Sequence, residues 1–243
     1  MKTLHSYKKK EVIGVKNRQK YALVTGGTTG IGAAISQKLV EIGYFVMAAS
    51  KNAEERQRDC VSHAITLDLQ DHNSLRKCVK QVTHLSEGHL DLLVNCSGIG
   101  YECQIEDESE ANVRQVLETN LLGTILLTNQ LIPSLEKASG TIIFISSIAG
   151  FKGFALWTTY CASKFGLEGY AAALREEIRS RSIRVSVIRP GSVDTPFYAS
   201  KSPHERTHFM SPQTVANSVL LCVTSEESAS FEEIFINNRV GDL

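Results

Sequence analysis

The run Thr25-Gly26-Gly27-Thr28-Thr29-Gly30-Ile31-Gly32 decides the fold of this chain. It follows a fully apolar stretch, Tyr21-Ala22-Leu23-Val24, and leads into Ile31, Ala34, Ile35 and Leu39 at helical spacing. A strand, a glycine turn and a helix therefore form the first βα unit. Glycine lets a backbone turn sharply and approach a ligand without a Cβ in the way. The helix N-terminus then offers free N–H groups and a partial positive charge to a phosphate. Glycine-rich turns are common in βα units, but this one sits where a dinucleotide-binding fingerprint belongs.

Outward from that turn the same beat repeats. Apolar runs predict strands at Phe45–Ala48, Ala64–Leu67, Leu90–Val94, Thr141–Ile145, Arg184–Ile188 and Ile234–Ile236. Helical periodicity predicts helices through Leu75, Val79 and Val82, over about 111–137 and 157–181, and near 212–224. Strands that are continuously apolar, not alternating, are buried on both faces, which means a parallel sheet covered by helices. The regular alternation predicts an α/β, doubly wound, Rossmann-like fold with a seven-stranded parallel sheet and helices on both faces. In such folds ligands bind beyond the carboxyl ends of the strands, near the point where strand order reverses. Residues 20–243 are expected to form one dinucleotide-binding and catalytic domain. Residues 1–19, with Lys2, Lys8, Lys9, Lys10, Lys16 and Arg18 against Glu11 alone, are expected to be a flexible basic tail.

Composition narrows the function. The 243 residues carry 26 Lys plus Arg and 26 Asp plus Glu, so no net field favours nucleic acid or an anionic membrane. No apolar run reaches the roughly 18 residues that would span a bilayer. Six cysteines without a CxxC pair or zinc-ligand spacing read as reduced thiols, with no metal expected. A cytoplasmic protein acting on a small molecule is the expectation.

Three further segments carry chemistry. Tyr160-Cys161-Ala162-Ser163-Lys164 opens a helix, and Tyr160 and Lys164, at i and i+4, share a face. A free phenol ionises only near pH 10, and a neighbouring ammonium is expected to lower that value. Ser146 and Ser147 close the fifth strand, where a hydroxyl can bond a substrate oxygen. Asn120 falls within the apolar face Val113, Val116, Leu117, Leu121 and Thr124, so its amide needs a partner, either structural or within a polar site. At the end of the second strand, Ser50-Lys51 stands where an acid would hold a ribose in NAD-preferring enzymes. Lys51 can pair with a 2′-phosphate and Ser50 can donate to it, or Lys51 is simply a solvated lysine.

The spacing of Gly26, Gly30 and Gly32, followed by Tyr160 and Lys164, resembles the short-chain dehydrogenase/reductase family over about residues 20–237. The resemblance implies a carbonyl–alcohol oxidoreductase in which Tyr160 exchanges the proton, Lys164 tunes it, Ser147 orients the oxygen and Asn120 holds a relay water. It implies a cofactor site of Gly26, Thr28, Thr29, Gly30, Ile31, Gly32, Ser50 and Lys51, continued by Asp68 and Leu69 at the adenine. Asn95-Cys96-Ser97-Gly98 is similar to the family's Asn-Asn-Ala-Gly, giving Asn95, Ser97 and Gly98. Tyr160, Lys164, Pro190, Gly191, Val193 and Thr195 are implied at the nicotinamide end. NADP(H) is favoured over NAD(H), and a homodimer or homotetramer is implied. Residues 196–212, with Phe197, Tyr198, Phe209 and Met210, form the expected pocket flap, and Phe154, Leu156 and Trp157 its rim. A ketone or 3-oxoacyl reductase is the expected activity. The alternative is a catalytically silent cofactor sensor or scaffold, which would have no use for Tyr160 and Lys164.

Overall fold

In the computed structural model, which describes residues 18–53 and 61–241, seven strands pair in parallel. They are β1 (Lys20–Thr25), β2 (Tyr44–Ser50), β3 (His63–Thr66), β4 (Leu92–Asn95), β5 (Thr141–Ile145), β6 (Arg184–Pro190) and β7 (Glu233–Ile236). Their order is β3-β2-β1-β4-β5-β6-β7, so the chain reverses direction across the sheet between β1 and β4. The predicted α/β sheet of seven parallel strands is the observed one.

Pleating explains the unbroken apolar runs. In β1, Leu23 faces one core while Ala22 and Val24 face the other, and all three are fully buried. Helices α1 (Gly30–Glu41) and α6 (Pro212–Thr224) cover the Val24 side with Ile35, Leu39, Val215 and Val219. Helices α2 (His72–Leu85), α4 (Gly123–Ala138) and α5 (Thr158–Ile178) cover the Leu23 side with Leu75, Leu127, Leu131, Leu167 and Leu174.

The long helix expected over 111–137 is divided. Helix α3 (Glu110–Leu117) runs into a π turn at Glu118–Leu122 and continues as α4. A π turn inserts one residue into a helix; such turns are rare and frequently lie at functional sites. Here it contains Asn120. The expected tail also ends earlier than residue 19: Arg18 forks onto the Asp91 carboxylate at 2.6 and 2.8 Å, and Gln19 donates to the carbonyl of Gly43. The remainder of that tail, residues 1–17, lies outside the described residues.

Gly123, the first residue of α4, is where helix and loop touch. A Cβ there would stand 2.3 Å from the carbonyl oxygen of Leu69. Alanine favours a helix over glycine by about 1 kcal/mol in open surroundings, but this clash reverses the sign. Gly123→Ala is expected to lower stability by about 1–3 kcal/mol, read as a lower urea midpoint at unchanged slope. An unchanged or higher midpoint would mean that the helix and the 67–70 loop pack more loosely than described.

Candidate active site

The carboxyl ends of β1, β2, β4, β5 and β6 enclose a cleft of about 540 Å³. Its floor at one end is the glycine turn. Gly26 and Gly30 have φ of 65° and 51°, a region glycine enters without strain. A Cβ on Gly32 would sit 2.2 Å from the carbonyl oxygen of Gly26, so the turn closes on α1 only with glycine there. Thr29 caps α1 without a side-chain hydrogen bond, and the first turn of that helix carries no acidic residue. The amide groups of the helix end are thus left for an anion, and the residues present fit a dinucleotide pyrophosphate.

The end of the cleft expected to take adenosine lies beyond β2. Thr28 and Ser50 share a hydroxyl–hydroxyl bond of 2.9 Å, and Ser50 and Lys51 line the cleft. Lys51 is not merely solvated: its ammonium pairs with the Asp68 carboxylate at 3.0 Å. A phosphate reaching Lys51 would compete with that acid. Leu69 lines the cleft beside Gln70, whose amide donates to Thr119 at 2.9 Å.

After β4 the chain is tied down from two sides. The Thr25 hydroxyl, at the end of β1, accepts from the amides of Cys96 and Ser97, both at 3.0 Å. Asn95 turns inward, donating to Thr128 at 3.1 Å, so its neighbours Cys96, Ser97 and Gly98 line the cleft in its place. Asn120, 1% exposed, accepts from the amide of Ile99 at 2.8 Å and donates to that residue's carbonyl and to the hydroxyl of Ser163. Both donor hydrogens of the amide are committed to protein atoms. Of the two partners open to Asn120, its side chain takes the structural one, pinning the 98–100 loop against α5.

Tyr160, Lys164 and Ser147 meet at the other end. Ser147, whose hydroxyl accepts from the amide of Ala149 at 3.1 Å, stands on the cleft wall beside Tyr160, while the hydroxyl of Ser146 is buried and bonded to no protein atom. The Lys164 ammonium, 4% exposed, donates to the carbonyl of Ile145 at 2.9 Å and lies 5.7 Å from the centre of the Tyr160 ring. Burial pulls the ammonium down to a pKa of about 8, opposed in part by Cys96 and by Glu168. Burial also drives the phenol above its ordinary range, with the nearby Tyr198 adding to it and Ser147 opposing. The expected lowering of the Tyr160 pKa by Lys164 is therefore absent from the protein alone: desolvation outweighs the charge 5.7 Å away.

Pro190, Gly191, Val193 and Thr195, expected at the nicotinamide, are all on the cleft wall, and the Thr195 hydroxyl donates to the Val193 carbonyl at 3.3 Å. Asn238, which the sequence does not single out, fastens this segment. It accepts from the amide of Ser192 at 2.8 Å and donates to the carbonyls of Ser192 and His208, both at 2.9 Å. The two ends of the flap are thus held by one buried side chain. Other residues on the wall that the motifs did not indicate include Gly100, Tyr101, Gln115 and Thr119.

Sheet order, glycine turn and the Tyr160–Lys164 pair define a nucleotide-dependent oxidoreductase of the doubly wound class. The model of the short chain dehydrogenase family matches residues 20–206, and the chain belongs to that family. It is 30% identical over 239 residues to a sepiapterin reductase of Chlorobaculum tepidum, covering 91% of this chain and 97% of that protein. It is 31% identical to the 3-oxoacyl-[acyl-carrier-protein] reductase FabG of Aquifex aeolicus, covering 92% of this chain and 98% of that protein. Among solved structures, a variant actinorhodin polyketide ketoreductase with NADPH shares the fold, with a TM-score of 0.84 at 24% identity. That likeness covers 93% of this chain and 98% of the other.

Replacing Asn238 by alanine removes the partner of the Ser192 amide and of the His208 carbonyl, while the Ser192 carbonyl keeps the amide of Met210. The loss costs about 1–3 kcal/mol for each group that water cannot reach. Asn238→Ala is expected to lower the melting temperature and to speed amide hydrogen exchange across 192–210 while β5 stays protected. Unchanged exchange in that segment would mean that other contacts close the flap.

Proposed function

We propose that this oxidoreductase uses NADPH to reduce a ketone, or a 3-oxoacyl group, to the alcohol. The observation that carries the reading is the convergence of Tyr160, Ser147 and buried Lys164 at the far end of a cleft that starts at the glycine turn. Bound nicotinamide would supply the hydride at the substrate carbon. Tyr160 gives its phenolic proton to the oxygen as negative charge develops there. Ser147, on the cleft wall beside that phenol, orients the oxygen by a hydrogen bond. Lys164 stabilises the phenolate that forms and so returns the proton more readily. Asn120 serves the reaction by holding the 98–100 loop in place.

The cofactor preference is argued from charge. No acid ends β2, and Lys51 and Ser50 stand there, so a 2′-phosphate meets a cation and a hydroxyl. Asp68 shares Lys51, which makes the preference for NADPH modest rather than absolute. A homodimer or homotetramer in the cytoplasm belongs to the same reading. Leu122, in the π turn, and Phe165, on α5, are each 48% exposed and would be covered by a second copy.

Loss of NADPH absorbance in the presence of ketones tests the reading. Tyr160→Phe is expected to lower kcat by about 10²- to 10⁴-fold, the usual share of a general acid, while cofactor binding persists. The wild-type rate is expected to fall as pH rises through about 8, where the depressed Lys164 ammonium loses its charge. Lys51→Ala is expected to erode the preference for NADPH over NADH. A Tyr160→Phe protein that binds cofactor and behaves as the wild type would instead favour a cofactor sensor.

A further inference from the structure

Three aromatic rings converge on one glycine beside the reaction centre. A Cβ built on Gly100 would lie 2.9 Å from the Tyr160 ring, 3.0 Å from the tip of Phe197 and 3.0 Å from the Trp157 ring. Phe197 stacks on Trp157 with centroids 5.8 Å apart and planes 18° from parallel. It also leans on Tyr160 at 5.5 Å. Tyr198 continues the wall at 5.1 Å from Phe197 and packs on Phe209 at 4.9 Å.

Phe197 belongs to the flap, on a segment held at its ends. The amide of Asp194 donates to the Met210 carbonyl at 2.8 Å, and that of Met210 to the Ser192 carbonyl at 3.0 Å. At the far side, Lys201 of the flap pairs with Glu102 of the loop after β4 at 2.8 Å. Between these fastenings the chain makes a 3-10 turn at Pro196–Tyr198, and from it the Phe197 side chain packs on rings and lines the cleft. Gln115, on the cleft wall, already accepts from the hydroxyl of Tyr101 at 2.6 Å. A substrate body entering here meets the flat rings of Trp157, Phe197 and Tyr198, beside charges that Lys201 and Glu102 already share.

From this geometry we infer that Phe197 is a built-in occupant of the substrate subsite, and that the site takes a carbonyl compound carrying a planar aromatic ring. The ring of the substrate stacks on Trp157 in the position that Phe197 vacates, which sets its carbonyl beside Tyr160. Offset stacking is worth more to a flat ring than to a puckered or linear chain of equal size. The inference rests on the reductase reading above and names the class of ketone that reading leaves open. Trp157 and Phe197 are then the residues that select substrate.

Trp157 is the chain's single tryptophan, so its fluorescence reports on this subsite alone. The full-length protein loaded with NADP⁺ would be titrated with acetophenone and with its saturated counterpart, cyclohexyl methyl ketone. Saturable quenching by acetophenone is expected, with at least about 3-fold weaker binding of the saturated ketone. Phe197→Ala is expected to tighten acetophenone binding about 2- to 10-fold, because no ring has to be displaced. Equal binding of the two ketones would overturn the inference, as would weaker binding in Phe197→Ala, which would make Phe197 a wall and not an occupant. Energy transfer from Trp157 to NADPH in both proteins serves as the separate check. Its absence would sink the reductase reading itself, whereas its presence with indifferent ketone binding would sink only the aromatic subsite.

Discussion

The ammonium of Lys164 is carried to the carboxyl end of β5, out of reach of bulk water, and hydrogen-bonded there to the carbonyl of Ile145. Desolvating a cation is costly unless neighbours repay it, and here one carbonyl, Cys96 and Glu168 do so only in part. The result is an ammonium held near its point of neutralisation. Around it the other groups take their places: Ser147 two residues after Ile145, Tyr160 one helical turn earlier, and Gly98 facing the nitrogen across the cleft. The parallel sheet makes this possible, because every strand delivers its carboxyl end to the same edge.

Burial also explains why phenol and ammonium do not yet help one another in the protein alone. Low polarity raises the Tyr160 pKa and lowers that of Lys164, so each is pushed towards its neutral form. An anionic oxygen developing on a substrate would change that balance, since a charge placed among buried donors is felt strongly. The site is therefore arranged for a charge that appears during reaction and not for one present at rest.

Much of this was readable beforehand. The seven strands, the side of the sheet that binds ligand and the glycine turn follow from local patterns, and local patterns survive folding. The π turn at Glu118–Leu122 was not readable, because a one-residue insertion barely disturbs the apolar repeat of Val113, Val116, Leu117, Leu121 and Thr124. The pairing of Lys51 with Asp68 joins the ends of two neighbouring strands, and sequence reveals that both residues exist without revealing that they touch. Asn238 offered a faint signal, two amide residues where the last apolar run stops. Its partners Ser192 and His208 lie 46 and 30 residues away. Gly123 hid its meaning entirely, since a glycine opening a helix is ordinary until the carbonyl of Leu69 is seen against it.

The central claim is that Lys164 is a desolvated ammonium poised near neutrality, and its own titration tests that most directly. NMR of protein with isotope-labelled lysine, with the resonance assigned by its loss in Lys164→Met, follows the side chain through pH. A midpoint near 8 is the predicted result. A midpoint near the ordinary value of about 10.4 would mean that water reaches the nitrogen, and would contradict the account.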